Sequence, residues 1–227
     1  MIKINQLIRN YKTGDTIVKA LRGVTLEIDQ GEFLSIAGPS GSGKTTLLNL
    51  VGCIDRADSG EIFIDGQAVS AKNKKELALF RRHKLGFVFQ TFNLIPVLTA
   101  FENVSFSLSL LGFNEKEIRE KTMAMLAEVG LEGIENRRPA KLSGGQQQRV
   151  AIARALVKEP SIVLADEPSA NLDSKTGKAI LKLMEDMNAR HNTTFIFSTH
   201  DPMVMDYAHR LVQLHDGKII KDERRKK

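Results

Sequence analysis

The chain has 227 residues, a formal net charge of +6 and 42% apolar residues, enough for one large α/β domain with a sizeable core. No uninterrupted apolar run reaches eighteen residues and the start, Met1-Ile2-Lys3-Ile4-Asn5, is strand-like, so neither a membrane-spanning helix nor a signal peptide is expected. The single cysteine, Cys53, excludes an internal disulfide, fits a reducing compartment and, among apolar neighbours, reads as a packing residue.

Ile2-Ile4 and Val24-Leu26-Ile28 alternate with period two and predict strands. Between them, Asn10-Tyr11-Lys12-Thr13-Gly14 reads as a polar loop. Tyr11 there is either a ring that stacks on a purine or an ordinary surface or core tyrosine. Asp29-Gln30-Gly31 predicts a turn, Phe33–Ala37 a buried strand and Thr46–Val51 a helix. The stretch joining strand to helix, Gly38-Pro39-Ser40-Gly41-Ser42-Gly43-Lys44-Thr45, fits G-x-x-x-x-G-K-[ST] at every fixed position. Glycines 38, 41 and 43 are expected to allow positive φ or the close approach of a phosphate. The loop N–H groups then point at an anion on the helix N-terminus. Lys44 adds a mobile charge for the β- and γ-phosphates, and the Thr45 hydroxyl, followed by Thr46, can ligate Mg²⁺. A nucleoside triphosphate is the expected ligand; the blander alternative is a glycine-rich turn with a surface lysine.

Residues 60–69 predict a hairpin around Asp65-Gly66 and, with the first strands, a small antiparallel layer. Lys74–Arg82 reads as a charged helix and Leu85–Gln90 as a strand that ends in glutamine. Thr91–Thr99 is too apolar for an ordinary exposed loop: it is buried or it receives a partner. Residues 100–132 are helical in pattern with a break at Gly112-Phe113-Asn114, which predicts a helical lobe inserted between two parts of the sheet. Leu142-Ser143-Gly144-Gly145-Gln146 precedes a helix predicted over Gln147–Lys158; a serine and two glycines there suggest exposed N–H groups and a second anion site.

Ser161–Glu167 is an apolar strand ending in two acids. Asp166 is placed to hold Mg²⁺ and Glu167 to orient or activate a water; the alternative is a solvated strand end. Ser169–Asp173 reads as a loop, and Lys175–Arg190 as an amphipathic helix with Ile180, Leu181, Leu183, Met184 and Met187 inward. Thr194–Thr199 is another buried strand, closed by His200, which is either structural or placed for a γ-phosphate. Arg210–Leu214 and the turn Asp216-Gly217 complete the sheet. Beyond, Lys218, Lys221, Arg224, Arg225, Lys226 and Lys227 face only Asp222 and Glu223. They read as a solvated tail or as a patch for an anionic membrane surface. With no basic stripe interleaved with aromatics, nucleic acid is not expected as a partner.

The ordered set resembles the ATP-binding-cassette (ABC) ATPases. Gly38–Thr45 is similar to their Walker A loop, Gln90 to the Q-loop glutamine and Leu142–Gln146 to the signature sequence. Ile162–Asp166 resembles Walker B, with Glu167 in the catalytic glutamate's place; Ser169–Asp173 resembles the D-loop, His200 the switch histidine and Tyr11 the adenine-stacking residue. Val51–Asp55, Phe87–Pro96 and Leu142–Arg149 look like the lipoprotein-release and macrolide-export branch, from which Ser169-Ala170 departs slightly.

The resemblance implies an α/β P-loop NTPase (RecA-like) core with an antiparallel β layer and an inserted α-helical subdomain. It implies one domain over 1–227, with a core lobe at 1–90 and 158–227 and a helical subdomain at about 91–157. ATP and Mg²⁺ are the implied cofactors, the metal held by Thr45, Gln90 and Asp166, with Lys44, Gln90, Glu167 and His200 catalytic. Two copies are implied to sandwich ATP head to tail, Ser143, Gly144, Gly145 and Gln146 of one closing over the loop of the other, with Asp173 bridging. A permease is expected to dock near Phe92–Phe101, at the cytoplasmic face of the inner or plasma membrane. The implied role is coupling ATP-driven dimerisation to export or mechanotransmission. The alternatives are a regulator whose permease activates a cell-wall enzyme and a non-transport ATPase of DNA repair or translation. Stacking by Tyr11 does not read base edges, so GTP in place of ATP stays open.

Overall fold

The structure is a computed structural model that describes residues 1–225, the side chain of Thr13 excepted. Ile2–Thr13 (β1) and Thr16–Ile28 (β2) pair antiparallel, from Ile2 opposite Ile28 to Thr13 opposite Thr16. β1 therefore runs through Tyr11, where the polar composition predicts a loop. The polarity misleads because this end of the hairpin projects beyond the core: Ile17 and Val18 across from it are exposed as well. Ladder hydrogen bonds hold it, not side-chain burial.

Next come Phe33–Ala37 (β3), Lys44–Val51 (α1), the hairpin Ser59–Ile64 (β4) and Gln67–Ala68 (β5), Lys74–Lys84 (α2) and Leu85–Phe89 (β6). β4 pairs with β1, giving a four-stranded antiparallel layer in the order β2-β1-β4-β5. Ala100–Leu111 (α3), Glu115–Glu128 (α4), a 3-10 turn at Pro139–Lys141 and Gly144–Leu156 (α5) follow. Gly112 takes left-handed φ (81°) to end α3, and Asn114 caps α4, so the predicted break has a backbone cause. The chain finishes with Ile162–Asp166 (β7), Ser174–His191 (α6), Thr194–Thr199 (β8), Pro202–Tyr207 (α7), Arg210–His215 (β9) and Lys218–Arg224 (β10).

The second sheet has the order β10-β9-β3-β8-β7-β6, parallel except for β10. Its central strands read as unbroken apolar runs because both faces are covered. Leu34, Ile36, Ile162, Leu164 and Ile196 face a core shared with α1 and the antiparallel layer. Their neighbours Phe33, Val163, Ala165, Phe195 and Phe197 face a second core shared with α3 to α7. Of the expected inward residues of α6, Ile180, Leu181, Met184 and Met187 are buried and Leu183 is partly buried.

The basic segment after Gly217 is an edge strand through Arg224, not a tail. Asp222 takes two hydrogen bonds from Arg210 (2.8 and 2.7 Å), and Arg224 reaches Asp29 and Glu32 (2.8 and 2.9 Å). Acids distant in sequence thus oppose part of that charge; Lys226 and Lys227 lie outside the described residues.

Candidate functional site

Register brings the ligand-facing loops to one edge. Ala37 pairs with Thr199, Phe89 with Asp166 and Asp166 with Ser198, so the residues that follow β3, β6, β7 and β8 emerge side by side. This is the carboxyl end of a parallel sheet, where α/β folds bind ligands. A cleft of about 600 Å³ opens there. Tyr11, Pro39, Ser40, Gly41, Gly43, Lys44, Thr45, Thr46, Gln90, Asp166, Glu167 and His200 line it. Val18, Ala20 and Ser198 also line it; nothing in their local sequence marks them, since β2 and β8 carry them there.

The glycines of the loop do three different things. Gly41 (φ 78°) has open space around a would-be Cβ and is required for its left-handed backbone alone. Gly43 (φ 103°) would also drive a Cβ to 2.4 Å from the Ala20 carbonyl oxygen. Gly38 is not left-handed; a Cβ there would meet the Leu214 carbonyl oxygen at 2.1 Å. Its need is close packing on β9, a constraint that the loop motif by itself does not show. Ser42 likewise sits behind the loop: it is buried, and its N–H donates to the Pro39 carbonyl (3.3 Å).

Lys44 is 8% exposed, and its ammonium donates to the carbonyls of Gly38 (2.7 Å) and Pro39 (2.9 Å). Burial lowers its pKa, against the pull of Glu167 and Asp166. Burial likewise raises the pKa of Asp166, and Glu167 adds to that, while Ser198, Lys44 and Thr45 act in the opposite direction. Glu167 is held at φ 48°, its N–H donating to the Ser198 carbonyl (2.9 Å). Non-glycine residues in this region carry strain of about 1–3 kcal/mol. Its carboxylate accepts from the Thr199 hydroxyl (3.0 Å) and the His200 N–H (3.1 Å), and pairs with His200 Nδ1 (2.5 Å). The sequence shows both residues but not that they touch.

Oxygen donors from Thr45, Gln90 and Asp166 share the cleft. A part-buried carboxylate whose ionised form is disfavoured, beside a second carboxylate, suits a hard divalent cation such as Mg²⁺, which takes few protein ligands and completes its shell with water and phosphate. Among the described residues there is no cluster of three or more acids, histidines and cysteines able to hold a metal by themselves.

Ser143, Gly144, Gly145, Gln146 and Asp173 do not line this cleft. The expected helix start at Gln147 is earlier: Ser143 caps α5 and both glycines are helical. Ser143 Oγ accepts from the Gln146 N–H (3.3 Å) and Gln146 Oε1 accepts from the Ser143 N–H (2.9 Å), a capping box. Two of the donors expected to stand free are therefore taken within the chain. Asp173 caps α6, accepting from the N–H groups of Lys175 and Thr176 (3.0 Å each). Asn171 Nδ2 donates to the Gln90 carbonyl (3.0 Å), and Arg154 of α5 donates to the carbonyls of Phe92 and Asn93. These ties join the segment after β6 to the last turn of α5 and to the loop before Asp173, and neither was legible in sequence.

Comparison with known proteins shows the family. The family described as ABC transporter matches residues 21–170. An uncharacterised ABC transporter ATP-binding protein of Methanocaldococcus jannaschii, MJ0796, is 46% identical over 99% of this chain and 97% of its own length. The ATP-binding protein YknY of Bacillus subtilis is 44% identical over 97% of this chain and 95% of its own. A macrolide export ATP-binding/permease protein of Syntrophobacter fumaroxidans is 44% identical over 96% of this chain, which spans only 31% of that longer protein. A solved dimer of MJ0796 in a post-hydrolysis state with ADP and phosphate superposes with a TM-score of 0.91, covering 100% of both chains at 44% identity.

Proposed function

This chain belongs to the ABC transporter family and is an ATP-hydrolysing, nucleotide-binding subunit of that family; we propose that it closes head to tail on a second copy of itself and so drives a membrane permease, in export or in other mechanical work. The observation that carries the reading is the separation of Ser143–Gln146 and Asp173 from the cleft that holds Lys44 and Glu167. One copy is an incomplete site. The MJ0796 dimer with ADP and phosphate supports completion by a second copy.

In this reading the core lobe is 1–90 and 158–227, and the helical subdomain is 91–157. The adenine stacks on Tyr11. The phosphates lie in the loop of Gly38–Thr46, where the Lys44 ammonium exchanges the carbonyls of Gly38 and Pro39 for β- and γ-phosphate oxygens. Thr45, Gln90 and Asp166 would hold Mg²⁺, which would supply charge neutralisation to the phosphates. Glu167 takes a proton from the attacking water, its carboxylate aimed by Thr199 and the His200 N–H. His200 holds Glu167 in place and contacts the γ-phosphate. Ser143 and Gly145 of the partner subunit close over that phosphate, and Asp173 bridges the copies.

The permease docks near Phe92–Phe101. Within and beside that stretch Ile95, Val97, Phe106 and Leu110 are exposed, whereas Phe92 is partly buried, its ring tip 3.8 Å from the Cβ position of Gly144. No described helix is long and apolar enough to cross a membrane, and we place the subunit at the cytoplasmic face, held by the permease. The macrolide-export relatives support export over regulation of a cell-wall enzyme.

Glu167→Gln tests the core of this reading. It keeps the shape of the carboxylate and removes the base. The expected result is retained ATP binding, turnover lower by about 10²–10⁴-fold, and an ATP-dependent dimer in size-exclusion chromatography. Turnover at the normal rate would remove the assigned role of Glu167. A chain that stays monomeric with ATP would remove the sandwich.

A further inference from the structure

The proposed site leaves a tight side-chain network beside it unexplained. The Tyr11 hydroxyl donates to Asp55 Oδ2 at 2.7 Å. Arg9 grips the same carboxylate with two hydrogen bonds, Nε to Oδ2 and Nη2 to Oδ1, both 3.0 Å. The third guanidinium nitrogen, Nη1, donates to Asp58 Oδ1 at 2.8 Å. Asp58 Oδ2 in turn accepts from the backbone and side-chain nitrogens of Asn10, at 2.7 and 3.0 Å. The guanidinium carbon of Arg9 stands 4.7 Å from the centre of the Tyr11 ring. Asp55 and Asp58 sit in the connection that leaves α1, so the far end of the hairpin is tied to the helix of the phosphate loop.

These bonds fix the ring. Tyr11 lies where β1 projects beyond the core, half-buried, with exposed Val18 paired to it and outside both hydrophobic cores, so core burial does not fix its rotamer. Left alone, it would lose side-chain freedom on meeting a base, and that ordering opposes binding. Here the hydroxyl is anchored and the guanidinium lies against the ring, so the ring is set before a ligand arrives. The Asp55 carboxylate is kept ionised as the anchor. Burial works to raise its pKa, but the Tyr11 hydroxyl, the Arg56 N–H and Arg9 outweigh it and hold the pKa low.

We propose that Arg9 and Asp55 are positioning residues for the nucleotide base, presetting the Tyr11 ring as a rigid platform referenced to the phosphate-loop helix. The inference rests on the stacking role given to Tyr11 above. It predicts that base-dependent affinity, and not phosphate affinity, depends on residues that never touch the nucleotide.

The test compares ADP with inorganic pyrophosphate, which has the phosphates and no base, by calorimetry on the full chain. Tyr11→Ala is the control for stacking itself: it should weaken ADP and spare pyrophosphate, and unchanged ADP affinity would overturn both stacking and the present inference. Given that control, Tyr11→Phe and Arg9→Met are each expected to weaken ADP by about three- to tenfold, the scale of immobilising one side chain, with pyrophosphate unchanged. Tyr11→Phe keeps the ring and most packing, so it remains informative should Arg9→Met unfold. If Tyr11→Ala weakens ADP but Tyr11→Phe and Arg9→Met bind it normally, stacking survives and the positioning role falls. Equal weakening of ADP and pyrophosphate by Arg9→Met would show an effect on the whole fold and overturn it too.

Discussion

Two helix N-termini in this molecule carry glycine and look alike in sequence, yet they are finished in opposite ways. α1 begins after left-handed Gly43, with no side-chain cap and no acid in its first turn. α5 begins at Ser143 with a complete capping box. α2, α3 and α4 also carry capping boxes, and Asp173 and Asp201 cap α6 and α7. Among the described α-helices, α1 alone lacks a side-chain cap. The lesson is that an anion site is a helix start the chain declines to cap: the partial charge of α1 is left for a ligand, while that of α5 is met within the chain by its capping box.

The largest effect that sharpens this contrast is at the loop itself. Gly43→Ala combines φ 103° with a Cβ at 2.4 Å from a carbonyl oxygen, so nucleotide binding should be lost and stability should fall by about 3 kcal/mol. Gly41→Ala has only the backbone penalty, about 1–2 kcal/mol, because nothing lies within 4 Å. Thermal unfolding and ADP titration read both, and equal losses would contradict the separate roles of the two glycines.

Ser143→Ala removes the α5 cap and should cost about 1 kcal/mol, a Tm fall of about 2–4 °C for a chain of this size. ADP affinity should not change, because Ser143 is outside the cleft, while ATP turnover should fall. Weakened ADP binding by a monomer would erase the distinction between the two surfaces.

The charges at the two surfaces pull stability in opposite directions. The folded pKa of Asp166 is raised, so its ionised form costs stability that is absent in acid and appears as pH rises through the unfolded value toward the folded one. Asp173 is the reverse: the Thr176 hydroxyl and N–H hold its pKa down, so its contribution is present above the unfolded value and is lost as pH falls through the folded one. At pH 7, Asp166→Asn should raise Tm by about 1–3 °C while abolishing turnover. Asp173→Ala should lower Tm. Calorimetric scans of both variants at pH 7 decide it, and a lower Tm for Asp166→Asn would show that the cleft stores no such cost.

The smallest effect concerns the other end of α1. Cys53 is buried there, and burial pushes its thiol up to about 11. Iodoacetamide at pH 8 should leave it unmodified in the native chain and alkylate it in denaturant. Rapid native labelling would mean that α1 is open at both ends.

Most of the cleft was legible because each motif is a short run whose chemistry is local. Lys44 and Thr45 open the helix that follows the glycine loop, and Asp166, Glu167 and His200 stand at ends of strands that an apolar run announces. What stayed hidden depends on partners far along the chain. Tyr11 lies in a strand because Val18 pairs with it, not because its neighbours are apolar. Gly38 is needed because Leu214 is near, and the basic run after Gly217 is a strand because β9 pairs with it, while Arg210, Glu32 and Asp29 meet its charges.

By itself the sequence determined the α/β layout, the phosphate loop, the two acids at the end of β7 and the family, since hydrophobic period and motif chemistry are properties of consecutive residues. Only the tertiary structure decided that Glu167 is paired with His200, that Ser143 caps its own helix away from the cleft, and that Asp55 accepts hydrogen bonds from both Arg9 and Tyr11. Those are distances between groups brought together by sheet register and crossover connections, and no local pattern encodes a distance across a fold.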